Sequence, residues 1–195
     1  MNRIATKLSR LAFVAALAVV AGCASAPKPS PIVANAPDWV NKGTGAFKDA
    51  QGNQVFYGVG SIQGVRNVPL AREAADDRGR AEIAKIMNSY VVVLTKDYMA
   101  STTAGSMDKS SEEQHVSQTL KNFSKFTLIG AMPVDHYVDR SDPKSTILYS
   151  LIKLDMGAVK KSLEESKELD SKMRDYVKAN AEKAFDELSA EEAKH

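Results

Sequence analysis

The chain contains a single cysteine, Cys23, in 195 residues. No disulfide can form within one chain, so the fold must be stabilised by a buried apolar core and not by cross-links. Apolar residues make up 44% of the sequence, and the roughly 170 residues beyond Cys23 are enough for one domain with a substantial core. The cysteine also divides the chain, because an apolar run precedes it and a proline-rich stretch follows it.

The segment before Cys23 has the features of a secretory signal peptide. Arg3, Lys7 and Arg10 give it a basic start, and residues 11–20 are uninterruptedly apolar. That run is too short for a transmembrane helix, which needs about 20 residues. We therefore predict that residues 1–22 are a signal peptide that is removed from the mature protein.

Residues 20–23, Val-Ala-Gly-Cys, resemble the bacterial lipobox, in which cleavage falls between Gly22 and Cys23 and the cysteine receives diacylglycerol and further acyl chains such as palmitate. Several acyl chains hold a protein firmly, because each buried methylene contributes about 0.8 kcal/mol. Ala24 stands where Asp usually retains proteobacterial lipoproteins in the inner membrane. We therefore expect an outer-membrane anchor, with the domain facing the periplasm or else the cell surface. The alternative is an ordinary signal peptide and an unmodified thiol.

Charge and composition restrict the partners of the mature chain. Cleavage removes three of the 26 basic residues and no acidic one, so 23 basic residues remain against 24 acidic ones. A nearly neutral chain without a basic block does not predict nucleic-acid binding. Residues 23–37 combine the acylated cysteine with four prolines and small residues, a composition typical of a semi-extended tether that reaches roughly 40 Å at most at about 3.1 Å per residue.

The pattern after the tether predicts an α+β domain over residues 38–158, with a long helix packed on a small antiparallel sheet. It begins at Asp38-Trp39-Val40 and continues through a Gly- and Asn-rich turn region. β-branched and aromatic runs predict three strands, and the turn composition of residues 140–144 joins the second to the third. The strands are residues 55–62, 126–139 and 145–155. The third is apolar on both faces, which favours a central place in the sheet.

The helices of this domain are predicted from caps and periodicity. Asn67 and Pro69 are typical of a helix start. Apolar residues then recur at spacings of three and four through residues 70–103, which predicts one buried stripe. Its members are Ile83, Met87, Tyr90, Leu94 and Tyr98. Residues 110–113 have capping-box form before a shorter helix that carries Val116, Leu120 and Phe123.

Residues 156–195 lack proline and predict an extended C-terminal helix of nearly 40 residues, in which residues 159–195 form a helical arm. Two interpretations stay open: the helix lies back along the sheet, or it packs as an arm against another copy of the chain. The candidate interface residues of the arm are Val159, Leu163, Leu169, Met173, Val177 and Leu188.

Several short patterns invite a chemical interpretation that the surrounding residues do not favour. Gly58, Gly60 and Gly64 have the wrong spacing for a dinucleotide fingerprint, and a close backbone approach explains glycines in a strand better. Two S-x-x-K matches, Ser106–Lys109 and Ser141–Lys144, lack the companion motifs of penicillin-recognising enzymes. We expect no catalytic residue and no cofactor.

The remaining candidate is a metal site at His136. Asp135, Asp139 and Asp142 are near it in sequence and supply oxygen ligands. A strand, however, points residues 135 and 136 to opposite faces. A charged edge strand that resists aggregation is the favoured interpretation, and we expect no bound metal.

Taken in order, four short motifs resemble the LPP-twenty family of small bacterial lipoproteins. They are Pro37–Val40 with Trp39, Phe56–Gly60 with Tyr57, Gly58 and Gly60, Gly79–Ala84, and Tyr149–Leu151. The similarity spans roughly residues 35–158 and the lipobox. Ser150 departs from the Tyr-Ala-Leu that is usual in the last motif, and the C-terminal arm lies outside the shared pattern.

The resemblance implies an outer-membrane-tethered α+β domain, in a family that includes flagellar disk lipoproteins assembling into rings and that has no established catalytic residues. Together with the lipobox it predicts a non-enzymatic cell-envelope lipoprotein, structural or scaffolding in role. Self-association, and contact with envelope or flagellar proteins, would serve that role. The alternative is a periplasmic binding or regulatory module, acting on a peptidoglycan synthase or capturing a small ligand.

Overall fold

The computed structural model describes residues 31–102, 116, 118–120, 122, 128–142, 144–165, 169 and 171–194. It shows the predicted α+β class, with a long helix packed on a four-stranded antiparallel sheet. In chain order the elements are α1 (Asp38–Lys42), β1 (Gly45–Lys48), β2 (Gln54–Gln63), α2 (Val68–Thr102), a 3-10 turn (Leu128–Gly130), β3 (Met132–Asp139), β4 (Ile147–Asp155), α3 (Met156–Glu165) and α4 (Ser171–Glu192). Residues 116, 118–120 and 122 are also helical.

The strand order in the sheet is β1-β2-β4-β3. β4 therefore lies between β2 and β3, which confirms the central position predicted from its apolar faces. β3 begins at Met132 and not at residue 126, because Leu128–Gly130 form a 3-10 turn that the N–H of Ala131 closes on the carbonyl of Leu128 at 3.0 Å. β1 was not predicted, since its four residues lie in a Gly- and Asn-rich stretch.

Helix α2 begins as its sequence indicates. The side-chain oxygen of Asn67 accepts the backbone N–H of Leu70 at 3.2 Å, which caps the first turn. The predicted apolar stripe is buried along its whole length. It faces the sheet and α4, and forms the centre of the core with Phe56, Ile152 and Phe185.

Three glycines allow α2 to lie directly on the sheet. A Cβ built on Gly60 would come within 2.0 Å of the carbonyl oxygen of Ala75, and one built on Gly58 within 2.2 Å of that of Gly79. A Cβ on Gly79 would in turn meet Ile152 at 2.5 Å. The backbones of α2 and β2 are therefore in contact, and Gly58 and Gly60 serve the close approach expected from the sequence. Gly64 does not: it follows β2 with a φ of 78°, and an added Cβ would meet nothing within 4 Å.

Two helices, α3 and α4, take the place of the single C-terminal helix that was predicted. The apolar stripe of α4 packs against α2, and its residues from Met173 to Leu188 are buried in the same core. α4 also covers the outer edge of β1, where Glu192 accepts the N–H of Ala46 at 2.7 Å and Ser189 donates to the Ala46 carbonyl at 3.0 Å. The interpretation in which the helix lies back on its own domain is the one the structure shows.

The second face of the sheet points away from α2 and is rich in aromatic rings. Because Gly58 and Gly60 point towards α2, Tyr57 points to the second face. Ring contacts there join Phe47 to Tyr57 at 5.9 Å and Tyr137 to Tyr149 at 6.2 Å between centroids. Helix α1, which carries Trp39, contacts the sheet at β4.

Candidate functional site

Three polar side chains from three elements meet between α2 and the sheet. Asp76 comes from α2, His136 from β3 and Ser150 from β4, and the last two face each other across the strand pair. The Nε2 atom of His136 is 2.8 Å from Oδ1 of Asp76, and the hydroxyl of Ser150 donates to the same oxygen at 2.5 Å. Ser150 is fully buried, whereas the His136 side chain is 26% exposed.

This geometry differs from that of a hydrolytic triad. In a triad the serine hydroxyl donates to the histidine, and the carboxylate orients the histidine from its other side. Here the carboxylate of Asp76 lies between Ser150 and His136, so these three groups contain no nucleophile–base hydrogen bond. The arrangement satisfies a buried hydroxyl and connects α2 to β3 and β4. It gives the buried hydroxyl of Ser150 its hydrogen-bond partner.

The carboxylates near His136 in sequence have other partners. Asp135 accepts the indole N–H of Trp39 at 2.9 Å and the backbone N–H of His136 at 2.8 Å. Asp139 and Asp142 accept backbone N–H groups in the following turn, at 2.8 and 2.9 Å. Such a backbone hydrogen bond lowers the pKa of Asp139. Among the described residues, no group of three or more His, Cys, Asp or Glu side chains is placed to hold a metal ion.

A polar cleft of about 630 Å³ lies between the β1–β2 turn, the end of β4 and helices α3 and α4. Its lysines face carboxylates across the cleft. The pairs are Lys48–Asp186 at 3.5 Å, Lys153–Asp49 at 3.5 Å and Lys160–Glu182. The three lysines of the lining are thus paired, and the fourth carboxylate, Asp155, accepts the backbone N–H of Ala158 at 2.7 Å, so the cleft has mixed charge with one carboxylate in excess.

Asp49 holds the β1–β2 turn at the rim of this cleft. Its carboxylate accepts backbone N–H groups from Gln51 at 3.0 Å and Asn53 at 2.9 Å. Burial acts to raise the pKa of Asp49, but these hydrogen bonds and the nearby Lys153 together lower it. The residue therefore has a structural role in the turn.

The residues of the four short sequence motifs contribute to packing between elements of the fold. Gly58 and Gly60 contact α2, whereas Tyr57 and Tyr149 lie in the aromatic face. Trp39 joins α1 to β3 through Asp135. These residues do not converge on one cavity.

The candidate interface residues of the C-terminal arm lie mostly in the core of the same chain. Val159, Leu169, Met173, Val177 and Leu188 are at most 4% exposed. Their apolar surface is covered by α2 and the sheet and is not available to another copy. The side chain of the sixth candidate, Leu163, lies outside what the structure describes.

Other candidates fall outside the described residues. These include the predicted cleavage and lipidation residues Gly22 and Cys23, and the first S-x-x-K match, Ser106–Lys109. The second match lies in the β3–β4 turn, where Ser141 and Lys144 are exposed. No helix in the described part of the chain is long and apolar enough to cross a membrane.

Two features escaped sequence reasoning. Asp76 stands among other charged residues near the start of α2, and that pattern gives no sign of a partner on the sheet. The apolar side chains of Ile129, Met132 and Val134 are exposed at the start of β3. The sheet order confirms the edge position that the charged residues of this strand favoured, but the Met-Pro-Val run gives no sign in the sequence that these apolar side chains stay exposed.

Comparison with known proteins identified no relative: no family model, curated protein or solved structure matches this chain.

Proposed function

We propose that this protein is a non-enzymatic lipoprotein of the outer membrane with a structural or scaffolding role in the cell envelope. The observation that carries the proposal is the order of features along the chain: a signal-like segment, the lipobox ending at Cys23, a short proline-rich tether and a folded domain from Pro31 onwards. A permanent anchor on a short tether keeps the domain within a few nanometres of the membrane.

The contacts of two polar groups in the domain support a non-enzymatic role. Asp76, His136 and Ser150 form a link between layers, and the lysines of the polar cleft are matched by carboxylates. In the described part of the chain, the acids and bases of these two groups are thus engaged in holding elements together.

Self-association is the second part of the proposal. Because the stripe of α4 is buried within the chain, contacts between copies must use outward surfaces. The resemblance to the LPP-twenty family supports assembly into larger structures, and a flagellar one is among the settings it suggests. The structural role then follows from many anchored copies close to one membrane.

A binding module is the second candidate function, and the polar cleft is the observation that favours it. A cleft of mixed charge with donors and acceptors on both walls suits a small polar ligand or a segment of a peptidoglycan synthase. In that case the lipid would locate the module and a partner would complete it.

Two measurements test the proposal. The mass of the mature amino terminus, compared with that of the Cys23→Ser chain, reports acylation, and an unmodified Cys23 would contradict the anchor. Light scattering of residues 24–195 over a concentration series reports assembly. A defined oligomer supports the scaffold, whereas a monomer at every concentration transfers support to the binding module.

A further inference from the structure

Three large apolar side chains are exposed within six residues at the start of β3. The exposed fractions are 81% for Ile129, 61% for Met132 and 51% for Val134. Ile129 and Met132 line one shallow depression together with Pro133 and Arg80. Single exposed apolar residues are ordinary, but neighbours of this size indicate a contact surface. We name Ile129, Met132 and Val134 the β3 patch.

Trp39 lies on the same face of the sheet as Met132. Its indole N–H donates to Asp135 at 2.9 Å, and Asp135 and Met132 pair with Leu151 and Lys153, which are two residues apart on β4 and so share a face. Tryptophan combines an apolar ring system with one polar atom, and for that reason it concentrates where protein meets the boundary between lipid headgroups and acyl chains. The second oxygen of Asp135 accepts the N–H of His136. Both oxygens are therefore satisfied, which lowers the cost of bringing this carboxylate close to an apolar medium.

The chain enters the domain beside this patch. The side chain of Asn41, two residues after Trp39 in α1, exchanges two hydrogen bonds with the backbone of Val33, at 2.9 and 3.0 Å. Ile32, the preceding residue, is 91% exposed. Seven residues separate Cys23 from Pro31, and at about 3.1 Å each they span roughly 25 Å at most. An anchor at Cys23 therefore holds α1 and the β3 patch close to the bilayer.

We propose that the β3 patch and Trp39 rest on the lipid surface that holds the acyl chains of Cys23. This inference depends on the proposed anchoring. A second copy of the chain fits the same surface less well. Pro133, the irregular register between Pro133 and Asp135, and the acidic pair Asp135 and Asp139 all oppose edge-to-edge pairing of two β3 strands. A lipid bilayer has no strand that must pair with β3, so these features do not oppose contact with it.

Trp39 is the only tryptophan of the chain and reports its own surroundings. The experiment uses residues 24–195 with an amino-terminal hexahistidine tag in place of the lipidated cysteine, because residues from Pro31 onwards form one compact unit. The tag binds a nickel-chelating lipid in vesicles of phosphatidylethanolamine and phosphatidylglycerol, with or without brominated acyl chains. We expect brominated lipid to quench at least half of the Trp39 emission and the emission maximum to shift to the blue.

Matched variants identify the surface. Met132→Asp with Val134→Asp places charge in the β3 patch and should abolish most of the quenching. Val92→Asp changes a side chain on α2 that is also 61% exposed, and should leave the quenching intact. Thermal unfolding of each variant verifies that the domain remains folded.

Three results would overturn the inference: a vesicle-bound wild-type chain whose Trp39 is not quenched, a patch variant quenched as strongly as wild type, or a lipid-free dimer that only the patch variant dissociates. The last result would assign the patch to a second copy. Because the chelating lipid replaces the acyl chains, an unmodified Cys23 in the mass measurement would contradict the proposed anchoring without altering the vesicle result. The two proposals therefore fail separately.

Discussion

At the scale of single residues, Tyr90 shows how the core accommodates a polar atom. It is fully buried on α2, and its hydroxyl donates to the carbonyl of Ala181 on α4 at 2.9 Å. Burial raises the pKa of Tyr90, and the nearby Glu182 raises it further. The hydrogen bond thus connects two helices, and it depends on the hydroxyl remaining protonated.

Tyr90→Phe should lower the free energy of unfolding at pH 7 by about 1 kcal/mol, the usual net contribution of one hydrogen bond. The pH dependence should change as well. In the unfolded chain Tyr90 ionises near pH 10, but in the folded chain it stays protonated, so wild-type stability falls as the pH rises above 10. Urea unfolding at pH 7 and pH 10.5 should show that Tyr90→Phe loses less stability over this interval. An equal loss in both proteins would contradict the assignment.

Asp139 gives a second prediction at this scale, with the opposite dependence on pH. Its pKa is lowered from 3.8 by the hydrogen bonds that it accepts from Ser141. The ionised carboxylate therefore stabilises the fold above about pH 4, and this contribution is lost as the pH falls through the lowered pKa. Asp139→Asn should lower the thermal midpoint at pH 7. The difference from wild type should shrink towards pH 3, and a constant difference would rule out the carboxylate as the cause.

At the scale of elements, the contact between α2 and β2 depends on the absence of side chains. Gly60 on β2 and Gly79 on α2 lie where the two backbones touch, and a Cβ on Gly60 would overlap the carbonyl of Ala75 at 2.0 Å. Backbone atoms in a packed helix cannot move aside as a flexible side chain does. The distance between α2 and β2 therefore depends on the absence of a side chain at these glycines.

Gly60→Ala should destabilise the domain by about 3 kcal/mol or more, because the helix must move off the sheet. Gly157→Ala is the matched control. Gly157 lies in α3, where an added Cβ meets only an oxygen of Asp155 at 3.1 Å. The free energy of unfolding of Gly157→Ala should therefore stay within about 1 kcal/mol of the wild-type value. Chemical denaturation of both variants measures these free energies. Similar losses of stability in the two variants would show that the close approach of α2 and β2 does not cause the effect of Gly60→Ala.

At the scale of the whole molecule, α4 completes the core and protects one edge of the sheet. Its Phe185 packs on Phe56 with ring centroids 4.9 Å apart, and its last turn satisfies the backbone of Ala46. β3, at the other edge, is protected by its own sequence, through Pro133 and charged residues. The two edges are thus protected in different ways.

A chain ending at Asp155 should therefore fail to fold cooperatively, because removal of α3 and α4 exposes the core around Phe56 and Tyr90. Circular dichroism during heating should show a broad transition or none, and a dye that binds exposed apolar surface should bind strongly. A sharp transition near the wild-type midpoint would show that α4 is dispensable. Loss of oligomers in this truncated chain would report unfolding and would not identify an interface.

Local sequence determined a large part of this architecture. The cap at Asn67, the apolar stripe of α2, the turn after β3 and the central position of β4 were all predictable, because each depends on residues close together in the chain. Gly58 and Gly60 also indicated a close backbone approach before any partner was known. These features follow from backbone conformation and the period of apolar residues.

Only the tertiary structure decided where the apolar surfaces meet. The apolar pattern of α4 is compatible with packing on its own core or on a second copy of the chain. Which of the two occurs depends on the space beside α2 and β1. Asp76 meets His136 and Ser150 across 60 and 74 positions of sequence, a distance that no periodicity encodes. The charged residues of β3 favoured an edge strand, but the exposure of the β3 patch follows only from the contacts that the folded chain leaves open. A strand's own residues specify its two faces, whereas its neighbours in the sheet decide which edges and side chains remain uncovered.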